Sequence, residues 1–110
     1  GLRDPREALA AVERAQSLNP WDPRLREREA ELAMQAGQWE RAERAYRKAI
    51  ELNPRHFAPY MRLATYYERR GRLEDALRSY REALRRNPLD EELQRKVGWL
   101  ASSAGRERQE

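Results

Sequence analysis

A fixed internal period constrains this chain more than any other feature. Asn19-Pro20, Asn53-Pro54 and Asn87-Pro88 recur at a step of 34 residues, and Gly37, Gly71 and Gly105 keep the same step. Three further series share the register: Ala8, Ala42 and Ala76; Ala15, Ala49 and Ala83; Val12, Tyr46 and Tyr80. A period of this length implies a stack of supersecondary units, each burying its apolar face against its neighbours.

Each series has a physical reason if the unit is two antiparallel helices joined by a tight turn. Glycine stands where the first helix stops and reverses, a site that favours positive φ. Proline follows the second helix and cannot continue it. Alanine recurs where two helix backbones approach closely, and tyrosine fills the space beside it. Helix starts agree. Asp4-Pro5 with Glu7 places a cap residue, a first-position proline and a first-turn acid in order, and Asp22-Pro23 repeats the cap and the proline. Asp90, Glu91 and Glu92 put three acids where the helix dipole favours them. Six helices are expected, over 5–18, 23–36, 38–52, 57–70, 72–86 and 91–104. Residues 105–110 are expected to form a disordered tail.

These residues and spacings resemble the tetratricopeptide repeat family. Unit 57–90 carries Tyr60, Leu63, Ala64, Tyr67, Gly71, Ala76, Tyr80, Ala83 and Pro88 in that family's pattern. Unit 23–56 matches in Ala30, Gly37, Ala42, Tyr46, Ala49 and Pro54, but has Arg26 and Glu29 where the family places a large aromatic and a leucine. Its first helix is therefore expected to be rotated or held less tightly, with Leu25, Leu32, Ala33 and Ala36 as its apolar stripe. Residues 5–20 match only a second helix of a unit and 91–104 only a first helix. The resemblance implies one all-α domain over 1–110, a right-handed superhelical α-solenoid of helix pairs, with an array cut at both ends. Leu9, Val12 and Leu18 should pack forward onto the next unit while leaving some apolar surface for another copy of the chain. Gly1 in place of methionine leads us to expect an artificial N-terminus.

Composition narrows the function classes. With no cysteine, disulfides, thiolate nucleophiles and Cys-based zinc sites are excluded. His56 is the one histidine and lies in a turn, so neither a metal centre nor a Ser-His-Asp set is expected. The acids lie on helix faces beside arginines, so no catalytic site and no cofactor are expected. The net charge of +4 comes from 23 basic residues interleaved with 19 acidic ones, which gives no continuous stripe for nucleic acid. Glu40 with Arg44, Glu43 with Arg47, Glu74 with Arg78 and Glu82 with Arg86 have the favourable helical spacing for surface pairs. Mean hydropathy is −1.15 and no apolar run reaches membrane-spanning length, so no direct membrane contact is expected. Arginine bias, with Lys48 and Lys96 the only lysines, suits a GC-rich bacterial genome and a thermophile equally well.

The resemblance implies a concave groove, lined by first helices, that takes a partner protein or peptide. Its lining would include Arg24, Glu27, Arg28, Glu31 and Met34, then Met61, Arg62, Thr65, Glu68 and Arg69, and finally Arg95, Lys96 and Trp99. Arginine grips carboxylates with two donors, methionine adapts its shape, and Trp and Arg are enriched at binding hot spots. The family's clamp for chaperone tails is absent, since Glu27, Glu31 and Glu92 stand where it needs cations or an amide. Arg62, Arg69 and Arg95 would receive acidic groups instead. Trp39 is expected in the core and Trp21 as a staple at a helix start. The alternative is an oligomerisation module using the array ends. The segment Leu18-Asn19-Pro20-Trp21-Asp22-Pro23 is also similar to soluble tails of bacterial O-antigen ligase-like membrane proteins, which would place the chain outside the cytoplasm rather than in it.

Overall fold

The computed structural model describes residues 4–109, with side chains through Ser102. The chain is all-α, with six helices and no strand among the described residues. They fall into two compact units, Gly1–Pro54 and Arg55–Glu110. The first holds α1 (Pro5–Leu18), α2 (Pro23–Gln35) and α3 (Trp39–Leu52); the second holds α4 (Ala58–Arg69), α5 (Leu73–Arg86) and α6 (Glu91–Gln109). In the first unit α2 packs against both α1 and α3, and in the second α5 packs against both α4 and α6.

The turns inside the helix pairs are built alike, and the glycines explain why. Gly37 has φ +76° and Gly71 φ +75°, the left-handed conformation that glycine adopts without a steric penalty. Around Gly37, its own N–H donates to the Met34 carbonyl at 3.0 Å and the Gln38 N–H to the Ala33 carbonyl at 2.8 Å. Around Gly71 the corresponding bonds run to Glu68 at 3.0 Å and from Arg72 to Tyr67 at 2.9 Å. Both are Schellman motifs, which satisfy the last carbonyls of one helix while aiming the chain back along it.

The links between pairs also repeat. Asn19, Asn53 and Asn87 each end a helix with φ between −148° and −139° and ψ between 65° and 79°. Asp4 and Asp22 then cap α1 and α2 by accepting the backbone N–H two residues on, and Asp90 accepts that of Leu93 at 3.1 Å.

The core follows the period. Ala30, Ala42, Ala49, Ala64, Ala76 and Ala83 are completely buried, with Tyr46 and Tyr80 beside them. Small residues at these positions let the backbones approach, and the tyrosines fill what remains at interior density.

Several expectations need correction. α6 does not stop at 104: helix continues to Gln109, covering the described part of the expected tail, while Glu110 lies outside the described residues. One glycine inside a helix costs only about 1 kcal/mol, and the good helix formers after Gly105 carry the helix past it. Trp21 is 70% exposed and staples nothing; α2 is started by Asp22 and Pro23 without it. Trp39 is half-buried rather than core, because it opens α3 and only part of its ring is covered. Of the surface pairs, Glu43–Arg47 and Glu82–Arg86 form at 3.0 and 2.8 Å, whereas Arg78 turns to Asp75. His56 is exposed in its turn, with its ring edge-on to Phe57.

Candidate functional site on the α4–α6 face

In the first unit, the positions that depart from the repeat pattern hold a polar network instead of an apolar stripe. Glu29 accepts from Arg41 Nε at 3.0 Å, from Gln16 Nε2 at 2.8 Å and from Arg26 Nη1 at 3.5 Å. Arg41 reaches on to Glu13 at 2.5 Å, so α1, α2 and α3 are tied at one point. The bond from Glu13, ahead of those from Glu29, holds the Arg41 guanidinium above its ordinary pKa against the cost of burial. This network is why α2 tolerates Arg26 and Glu29.

The residues of α2 expected to line a groove do not form one chemical site. Arg24 is exposed and folds back onto Asp22, donating at 3.1 and 3.0 Å, and those bonds depress the Asp22 pKa. Arg28 pairs with Glu31 at 3.3 Å, and the Met34 sulfur accepts the Tyr46 hydroxyl at 3.7 Å. Glu27 is buried, beside Ala30 in the covered face of α2, so it does not lie open to a partner as expected.

The second unit does gather part of the expected set. Glu68, Glu92, Arg95, Lys96 and Trp99 line a cavity of about 400 Å³ that opens to solvent between α4 and α6. Four of these lie on α6 at positions 92, 95, 96 and 99, one helical stripe with the spacing of adjacent turns. Glu68 comes from the last turn of α4, where the Gly71 Schellman motif fixes the backbone.

Inside the cavity wall Glu68 is engaged from two sides. It accepts the Tyr80 hydroxyl at 2.5 Å and Lys96 Nζ at 3.3 and 3.4 Å. The Tyr80 hydroxyl also shares a 3.1 Å hydrogen bond with that of Thr65, and Lys96 lies 6.0 Å from the Tyr80 ring centre. Burial first, and then its bond to Glu68, push the Tyr80 phenol well above its ordinary pKa, so it stays a neutral donor. Lys96 is thereby matched by an internal carboxylate. Arg95 is exposed and has no ion-pair or hydrogen-bond partner among the described residues, and Trp99 is 58% exposed. An uncommitted guanidinium beside an open indole face can take a carboxylate and an apolar side chain together.

Thr65 supports this wall through Tyr80, whereas Met61, Arg62 and Arg69 belong to the same helix but do not line the cavity. Sequence reasoning missed two contributors. The sequence presents Glu92 as a helix-start acid and a lost clamp cation and Tyr80 only as packing; the 92, 95, 96, 99 stripe is the signal that finds the first.

A tetratricopeptide repeat model matches residues 27–91 and 61–106, and a second model of the same description matches residues 1–46. The chain belongs to the tetratricopeptide repeat family. Solved structures agree on the fold. A crystal structure of MamA superposes with a TM-score of 0.81 at 18% identity, over 92% of this chain and 59% of that one. A thermophilic tetratricopeptide repeat protein of Thermus thermophilus gives 0.81 at 26% identity, over 88% of this chain and 50% of that one. The first tetratricopeptide repeat of Spaghetti, bound to the HSP90 peptide SRMEEVD, gives 0.78 at 20% identity, over 92% and 80%. The chain thus spans 59% of the MamA structure and 50% of the Thermus one. No curated protein matches it. No described helix is long and apolar enough to cross a membrane. As a tetratricopeptide repeat scaffold, the chain has an architecture suited to protein interaction, and its chemistry must be sought in the side chains the repeat leaves free.

Proposed function

We propose that this chain is a peptide-binding module and that the α4–α6 face of its second unit receives a short segment of a partner protein, an apolar side chain against Trp99 and a carboxylate on Arg95. The observation that carries this reading is the pairing of an uncommitted, exposed Arg95 with an open Trp99 in one cavity whose other cation is already neutralised by Glu68. The Spaghetti structure, of the same fold, was solved with an acidic peptide, which supports peptides as the ligand class. The site here does not reproduce the family's chaperone clamp: only one cation is free, so a single carboxylate satisfies it. Arginine and tryptophan at the centre of a small contact are the residue types that dominate binding energy.

Panning a random peptide library against the chain tests this. Sequences enriched on the wild type should carry an acidic residue near an aliphatic or aromatic one and should be lost on both Trp99→Ala and Arg95→Glu. Enriched peptides that bind both variants as tightly as the wild type would place the binding site elsewhere.

A further inference from the structure

Two acids and two cations line the cavity between α4 and α6, and only one of each is used internally. Glu68 holds Lys96 and the Tyr80 hydroxyl. Glu92, like Arg95, is exposed, and its side chain makes no ion pair or hydrogen bond among the described residues. Glu92 and Arg95 stand three residues apart with the acid first. Glu82 and Arg85 of α5 have that same arrangement and pair at 3.3 Å, yet no pair forms between Glu92 and Arg95.

Packing fixes how these groups are presented. Leu93 and Leu100, two turns apart on one side of α6, are 1% and 0% exposed and set the rotation of the helix. Glu92, Arg95 and Trp99 then follow one another along a different side, at steps of about 4.5 and 6 Å for a rise of about 1.5 Å per residue. The opening does not depend on the place of α6 in the chain. On α4, Met61, Arg62 and Thr65 hold the register of Arg95, Lys96 and Trp99, and with chain on either side of that helix they are part-exposed as well. This face stays open in the repeat itself.

We infer that the segment received at this site carries three groups in order along α6: a basic side chain for Glu92, an acidic one for Arg95 and an apolar one for Trp99. The inference rests on the peptide site proposed above and specifies what occupies it. Charge complementarity supplies the order. A ligand cation placed at Arg95 meets a like charge, and so does a second ligand acid placed at Glu92. Glu68 is already answered by Lys96 and offers nothing to either. The site thus favours an acid flanked on one side by a base and on the other by an apolar residue, and it rejects paired acids through Glu92. Because these pairs are open to solvent, Glu92 decides which peptide binds more than how tightly.

Panning the random library against the wild type and Glu92→Arg reads the order of residues. Peptides that depend on Arg95 and Trp99 should carry a lysine or arginine on the wild type, placed across the acid from the apolar residue. On Glu92→Arg a second acid should take its place. One peptide enriched on the wild type is then made with its base and with alanine instead, and each form is titrated by fluorescence anisotropy against the wild type and Glu92→Gln. The basic form should bind the wild type about two- to fivefold more tightly than Glu92→Gln, as an exposed ion pair allows, and the alanine form should bind both equally. A merely structural role of Glu92 at the start of α6 moves both forms alike and overturns the inference. So does a base that is not enriched, or a preference that Glu92→Arg leaves unchanged, and in those cases loss of binding on Trp99→Ala and Arg95→Glu keeps the peptide site standing. A library with no peptide dependent on Arg95 and Trp99 removes the site and the inference together.

Discussion

Replacing Glu29 with alanine removes the acceptor on which the polar network of the first unit converges. Its side chain is 12% exposed and takes donors from Arg41, Gln16 and Arg26. Deleting one member of a fully buried ion pair costs about 3–5 kcal/mol, because the remaining charge is stranded. Here the charge is only partly stranded. Arg41 is 26% exposed and keeps Glu13, and Gln16 keeps the Leu25 carbonyl at 3.4 Å. Hydrogen bonds to a charged group contribute about 1.5–3 kcal/mol each, so a net loss of about 2–3 kcal/mol is expected once the surviving partners are counted.

The assay must isolate the first unit, since a repeat chain need not unfold in one step. In a Trp99→Phe background the indole fluorescence comes from Trp21 and Trp39 alone, both in that unit. Urea unfolding followed this way should show a lower midpoint for Glu29→Ala at unchanged slope. The double variant Arg26→Tyr with Glu29→Leu, which imports the Tyr60 and Leu63 chemistry of α4, should recover to within about 1 kcal/mol of the parent or exceed it, as buried ion pairs replaced by well-packed apolar groups often do. A loss below about 0.5 kcal/mol for Glu29→Ala would refute the reasoning, because that is the level of an exposed surface pair.

Other expectations concern the second unit. Gly71→Ala should destabilise it by about 1–2 kcal/mol although no atom lies near the added Cβ, because the cost is the left-handed backbone itself, whereas Gly98→Ala in helical α6 should stabilise by up to about 1 kcal/mol; thermal unfolding of both variants gives the opposite signs. Tyr80, raised from its ordinary 10.0, holds its proton in the fold where the unfolded chain has lost it, so its contribution is complete below pH 10.0 and falls as pH rises beyond it. Tyr80→Phe should therefore flatten the alkaline slope of the urea midpoint against pH. Lys96→Ala should weaken the anchoring of Glu68 and shift the Tyr80 phenolate absorbance transition, while Arg95→Ala, on the solvent side of the same helix, should leave that transition unmoved.

What the sequence made legible is what the period selects. The fully buried alanines, the two left-handed glycines and the asparagine links were all readable, because each serves one backbone geometry that few other residues satisfy. Helix limits came out within a residue for α1 to α5. Side-chain pairing was not readable to the same degree. Arg78 chooses Asp75 at three residues over Glu74 at four, and surface pairs of this kind differ by only tenths of a kcal/mol. Trp21 was misplaced because an aromatic before a helix cap suits a staple and an exposed link equally, and only its surroundings decide.

Position 29 and its counterparts show why the remaining chemistry lies where the period is broken. Register positions 29, 63 and 97 carry Glu29, Leu63 and Val97: one in a charged network, one in the core, one half-open on α6. Positions 31, 65 and 99 carry Glu31, Thr65 and Trp99, and run from a surface pair through the support of Tyr80 to an open indole. The backbone is the same in each case, so the period cannot specify what these residues do. A scaffold that holds its alanines and glycines constant can vary such positions at little cost to folding. Trp99 and Arg95 are non-repeating residues on one stripe of α6, and that conjunction carries the proposed peptide site.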